Sequence, residues 1–141
     1  MSPTNPPRRV FQSVGAVFAG IVVVVVLSHA TDEVMHAVGA IPRKGELMGH
    51  GHAALALAYR IAYGILGGYV TARLAPHGPM RHALVLGGIG LVISTIGVVA
   101  TWNAMPTLGP RWYPVALAAT ALPCAWVGAA ICGTPAKGNS T

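Results

Sequence analysis

Acidic side chains are nearly missing from this chain: Asp32, Glu33 and Glu46 are the only carboxylates in 141 residues, and charged residues of both signs make up just 9%. Soluble proteins average about 25% charged residues, so a water-soluble fold would lack the polar surface it needs. The usual catalytic signatures are absent too. There is no Walker loop, dinucleotide fingerprint, serine-nucleophile elbow or CxxC pair. The glycine-rich stretch Gly64-Ile65-Leu66-Gly67-Gly68 lies inside an apolar run rather than at a strand-to-helix turn, which excludes phosphate cradling. Cysteine is scarce, with 2 in the chain. Cys124 and Cys132 fall about two turns apart on one expected helix, beyond disulfide reach. They read as small packing side chains and define no redox compartment.

What the chain has instead is apolar length. Hydrophobic residues reach 54%, with 18 glycines, and they gather in stretches at about 10–30, 53–74, 83–101 and 113–132. A spanning helix needs roughly 20 apolar residues, so these stretches nearly exhaust the chain. The expectation is one membrane domain over residues 1–141, an all-α integral membrane four-helix antiparallel bundle. The run Val22-Val23-Val24-Val25-Val26-Leu27 would suit a strand in water, but an isolated strand in hydrocarbon leaves its backbone unsatisfied, so helix is expected. Pro76, His77, Gly78 and Pro79 make a short turn that enforces an antiparallel pair. Pro106, Gly109, Pro110 and Pro114 mark the next, with Trp102, Trp112 and Tyr113 suited to the interfacial belt. The longest connection, from about Thr31 to His52, carries all the acids.

The formal charge of +6 would suggest nucleic acid in a soluble protein. Here the basic residues stand singly at segment ends, where phospholipid headgroups are their partners, so membrane lipids are expected and nucleic acid is not. Arg8, Arg9, Arg73, Arg81 and Lys137 lie on one side, against Arg43, Lys44 and Arg111 on the other. The imbalance predicts both termini in the cytoplasm. Arg8-Arg9, a long apolar run and Ser28-His29-Ala30 also resemble a signal peptide, yet the run exceeds the usual core of about 7–15 residues, and a retained first helix is expected.

Helices in lipid associate by close backbone approach and polar contacts, so small residues at helical spacing are informative. The third segment aligns Gly87, Gly90, Ser94, Gly97 and Thr101. The fourth aligns Ala118, Ala121, Ala125, Gly128 and Cys132, and the second Gly64, Gly68 and Ala72. These faces predict packing within the chain, with a homo-oligomeric contact or a partner membrane protein as the alternative. Gly67-Gly68 permits bending, and Pro123 removes a backbone bond and should kink its helix.

Arg60 is the most informative polar residue. It falls about 10 Å inside the second expected segment and shares a helical face with Gly64. A charge at that depth needs a partner, water or a route to the headgroups. Asp32, Glu33 and Glu46 are its candidate partners, in a buried ion pair or a ligand-binding site. A second group is His29, Asp32, Glu33 and His36, which share a broad face if the first helix continues past Ala30; His50 and His52 stand at the same end of the bundle. Imidazole and carboxylate suit a divalent metal such as zinc, although the HxxDExxH spacing is not the HExxH motif. Polar capping of the interface and a proton-sensitive contact are the other readings of these histidines. His77 and His82, with Arg73 and Arg81, are expected to meet anionic headgroups.

The run Tyr63-Gly64-Ile65-Leu66-Gly67-Gly68-Tyr69-Val70-Thr71-Ala72-Arg73-Leu74-Ala75-Pro76 resembles the central segment of many small, uncharacterised bacterial four-helix inner-membrane proteins. The resemblance implies a multi-pass location in the bacterial inner membrane and no particular activity. Function stays open between a membrane structural or interaction protein such as an accessory subunit, an oligomeric transporter or channel component, and a metal-binding protein or enzyme with a polar site on the non-cytoplasmic face. In the last, Asp32 or Glu33 would coordinate or act as a base.

Overall fold

A computed structural model describes residues 6–43 and 45–133. Its helices are α1 (Pro6–Ala37), α2 (His50–Leu74), α3 (Pro79–Thr101), the single turn α4 (Met105–Leu108) and α5 (Trp112–Gly133). No strand occurs among the described residues. Helices α1, α2, α3 and α5 are each long and apolar enough to cross a bilayer. The chain is a multi-pass membrane protein folded as an all-α four-helix bundle.

Helix α1 is longer than the apolar run that seeds it. Its 32 residues extend about 48 Å against a hydrocarbon core of about 30 Å, so the polar turns from Thr31 to Ala37 reach toward the headgroups. Nothing between Ala30 and Ala37 breaks a helix, and it stops where glycine first allows it to. Gly39 takes φ 72°, its amide donates to His36 O, and Ala40 donates to Met35 O at 2.9 Å. That pair of bonds is a Schellman motif, which satisfies the last carbonyls of α1. The start of α3 shows the same economy: Gly78, at φ 51°, turns the chain, and Pro79 follows at the first helical position, where a missing amide costs nothing.

Helix α2 is the centre of the bundle, packed against α1 on one side and α5 on the other; α5 also packs along α3, while α1 and α3 meet over a shorter seam. Glycine explains the close approach. A Cβ on Gly68 would stand 2.6 Å from the carbonyl oxygen of Ala125, and one on Gly87 2.9 Å from the Ala125 Cβ and 3.2 Å from Ala121 O. Gly128 lies equally tight against α2 at Ile65 and Tyr69, and Gly20 of α1 against Gly67 and Thr71. Adjacent Gly67 and Gly68 thus face α1 and α5 respectively, and they serve close packing on two sides of one helix. Helix α5 continues through Pro123 to Gly133.

These contacts cluster toward the end of the bundle that holds Arg81. The buried residues there include Ala16, Thr71, Ala72, Ala83, Ala125 and Ala129. The opposite, polar end is covered by the α1–α2 connection, whose Met48 amide donates to Leu108 O at 3.1 Å and whose backbone lies against Gly109. The two ends of the bundle are therefore closed by different means.

Candidate functional site

The site lies just inside the polar end. Arg60 follows His50 by ten residues on α2, which places its Cα about 15 Å from the start of that helix and about 10 Å inside the apolar run that begins near Ala53. Because α1 continues through Thr31 and Asp32, both side chains come level with it. Arg60 Nη2 donates to Asp32 Oδ2 at 2.6 Å, and Tyr59 Oη donates to Asp32 Oδ1. One turn along α2, the Tyr63 and Thr31 hydroxyls share a hydrogen bond of 2.6 Å. Both carboxylate oxygens of Asp32 are thus satisfied from α2, and the two helices are fastened at two heights.

Helix α5 closes the third side. The Arg60 guanidinium carbon lies 6.0 Å from the centre of the Tyr113 ring, at the outer range of a cation–π contact. Trp112 Nε1 donates to His50 Nδ1 at 2.9 Å, tying the first turns of α2 and α5. The side chains of Arg60 and Asp32 are 32% and 18% exposed. At this depth the remaining surface faces lipid or the bundle cavity, where an unpaired charge is costlier than in water. Arg60 Nε is buried and has no hydrogen-bond partner.

Below Arg60 the helices enclose a cavity of about 260 Å³. Its walls are apolar side chains and glycines, with Ser28, Ser94 and Thr120 as scattered hydroxyls. Thr120 already donates to its own helix at Ala116 O. Toward the Arg81 end the cavity stops at the tight Gly20–Gly67–Leu86 contact. It is flanked by Val25 of α1 and Ile93 of α3, 47% and 63% exposed, so it opens sideways toward lipid between those helices.

The remaining candidate residues are spread around the polar end. Glu46 accepts from the Arg43 amide at 3.2 Å within its own loop. Glu33 and His29 are exposed on α1, His52 is exposed on α2, His36 is half-buried with Nδ1 unpartnered, and His50 is engaged by Trp112. Among the described residues no three His, Cys, Asp or Glu side chains gather closely enough to hold a metal ion. Asp32 belongs to the Arg60 network. Sequence reasoning passed over Tyr59, Tyr63 and Thr31. The available signal was the pair of tyrosines four residues apart bracketing an arginine inside the span, each with a polar tip that needs a partner in lipid.

No protein-family model, curated protein or solved structure matches the chain. The resemblance carried by Tyr63–Pro76 therefore stands on the helices themselves: this is a small four-helix membrane protein.

Proposed function

We propose that the chain is a structural or interaction protein of the bacterial inner membrane, an accessory subunit with no catalytic step of its own. The observation that carries this reading is the Arg60–Asp32 pair at 2.6 Å. The Arg60 charge inside the span is answered by Asp32 of its own chain, as expected of a group that fixes two helices rather than one that lines a path. The apolar cavity walls favour the same reading. The excess of Arg8, Arg9, Arg73, Arg81 and Lys137 over Arg43, Lys44 and Arg111 favours cytoplasmic termini. A partner helix or a second copy would meet the lipid-facing sides of the bundle, because Gly64, Gly68, Gly87 and Gly128 are already filled by neighbouring helices of this chain.

Flux measurements test the proposal. Proteoliposomes loaded with proton- and potassium-sensitive dyes should leak at the rate of protein-free vesicles, for the native chain and for Arg60→Gln alike. Flux through the native chain that disappears in Arg60→Gln would overturn the structural reading in favour of transport. Stoichiometric zinc in purified protein, lost in His36→Ala, would overturn it in favour of a metal site.

A further inference from the structure

A second apolar hollow runs along the outside of the bundle between α1 and α3. It measures about 490 Å³ and is walled by Ser13, Val17 and Ile21 of α1 and by His82, Val85 and Ile89 of α3, with Arg81 at its foot. Ile21 and Ile89 also line the cavity below Arg60. The furrow and the cavity therefore adjoin at Ile21 and Ile89, and their linings follow one another along α1 and α3 from Arg81 to the underside of Arg60. On α1 the lining residues continue as Ser13, Val17, Ile21, Val24 and Ser28, steps of three and four that keep one helical face on both hollows.

Two properties of this lining select its occupant. The first is length: from Ser13 to Ser28 is about 22 Å of helix, long enough to take the acyl chain of one leaflet, which crosses about 15 Å, half of a 30 Å core. The second is charge at one end only. Arg81 and His82 stand at the foot, and Arg9 lies one turn before Ser13 on the same face of α1. No acidic residue belongs to this end, since Asp32, Glu33 and Glu46 all lie at the other.

We propose that the α1–α3 furrow is a binding site for an anionic phospholipid. Its phosphate sits at Arg81 and His82, and one acyl chain lies between Val17 and Val85 and ends in the cavity below Arg60. The site makes no use of the Arg60–Asp32 pair and stands or falls separately from the structural reading above.

Spin-labelled lipids provide the test. The full chain, reconstituted in phosphatidylcholine vesicles with trace spin-labelled phosphatidylglycerol or phosphatidylcholine, should restrict the anionic lipid with about a five-fold preference, the effect of one well-placed basic residue. Arg81→Gln should remove most of that preference. Arg73→Gln, at the same membrane face but outside the furrow, should leave it in place. Ile89→Trp should fill the furrow and reduce the restricted fraction of both lipids; Val85→Phe, at its half-exposed rim, does the same should the tryptophan variant misfold. Equal losses in Arg81→Gln and Arg73→Gln would overturn the proposal, since the preference would then be a general surface effect. So would lipid-independent dimers cross-linked through Val14→Cys, which would place a second copy in the furrow.

Discussion

Removing one half of the Arg60–Asp32 pair should harm the protein more than removing both. In Asp32→Ala the guanidinium keeps its depth, about 15 Å from the start of α2, and loses the acceptor now at 2.6 Å. The lost attraction is about 4 kcal/mol for charge centres roughly 4 Å apart at an effective dielectric constant of about 20. Snorkelling along the cavity wall recovers part of this, leaving a net loss of about 3 kcal/mol, within the range for breaking a buried pair. Arg60→Leu is milder, about 2 kcal/mol, because Asp32 keeps the hydroxyl of Tyr59 as a donor. The double variant Asp32→Ala/Arg60→Leu buries no charge and should cost only about 1 kcal/mol.

Reversible unfolding in mixed detergent micelles, followed by circular dichroism, measures all three. The decisive comparison is the double variant with Asp32→Ala alone: restoring stability by deleting a second group is what a charge stranded in lipid requires. Additive losses, agreeing within about 0.5 kcal/mol, would show that Arg60 and Asp32 act independently and would refute the reasoning.

The close helix contacts make a second prediction: Gly68→Ala should destabilise by about 1–3 kcal/mol, because the added carbon meets the Ala125 backbone, which cannot give way. Gly97→Ala, with nothing within 4 Å of the added carbon, should stay within about 0.5 kcal/mol of the native chain in the same unfolding assay. Thiol labelling in intact proteoliposomes should be slower at Cys124, buried at the α2–α5 contact, than at the partly exposed Cys132; equal rates in the two single-cysteine variants would contradict that packing.

The spans were legible because the bilayer imposes a length, and prolines and charges punctuate the chain at that length. The need of Arg60 for a partner was legible for the same reason, since a charge inside an apolar run has few outlets. Which acid answers it was not. Asp32 and Glu33 are adjacent and point about 100° apart on a helix, so the choice turns on how α1 is rotated against α2. That rotation is set by Gly20 meeting Gly67 and Thr71, a contact between segments far apart in sequence. The tyrosines were hidden by their versatility: Tyr59 and Tyr63 have the apolar body of an ordinary span residue, and only the fold brings their hydroxyls to Asp32 and Thr31. The histidines were legible only as a spacing. Their spacing on α1 is regular, but regular spacing on one helix brings no ligand from another, and His50 has Trp112 as its partner.

The cavity follows from a change of residue size along α2. From Gly64 to Ala72 the helix presents glycine and alanine at its contacts with α1 and α5, and the backbones touch. Nearer the polar end it presents Tyr59, Arg60 and Tyr63, which meet α1 through side-chain tips rather than backbone, and interaxial distance follows the side chains at the contact. A bundle joined by backbone contact at one end and by side-chain tips at the other leaves space where the two regimes meet, and α1 and α3, which share a short seam, leave it open to the side. Water gains little in a space with such apolar walls, because it needs several polar partners to replace its own hydrogen bonds. An acyl chain gives up nothing by entering, since lipid tails are as apolar as the residues that line it. The same step in side-chain size that lets Tyr59 reach Asp32 therefore also opens the room beneath Arg60 to lipid.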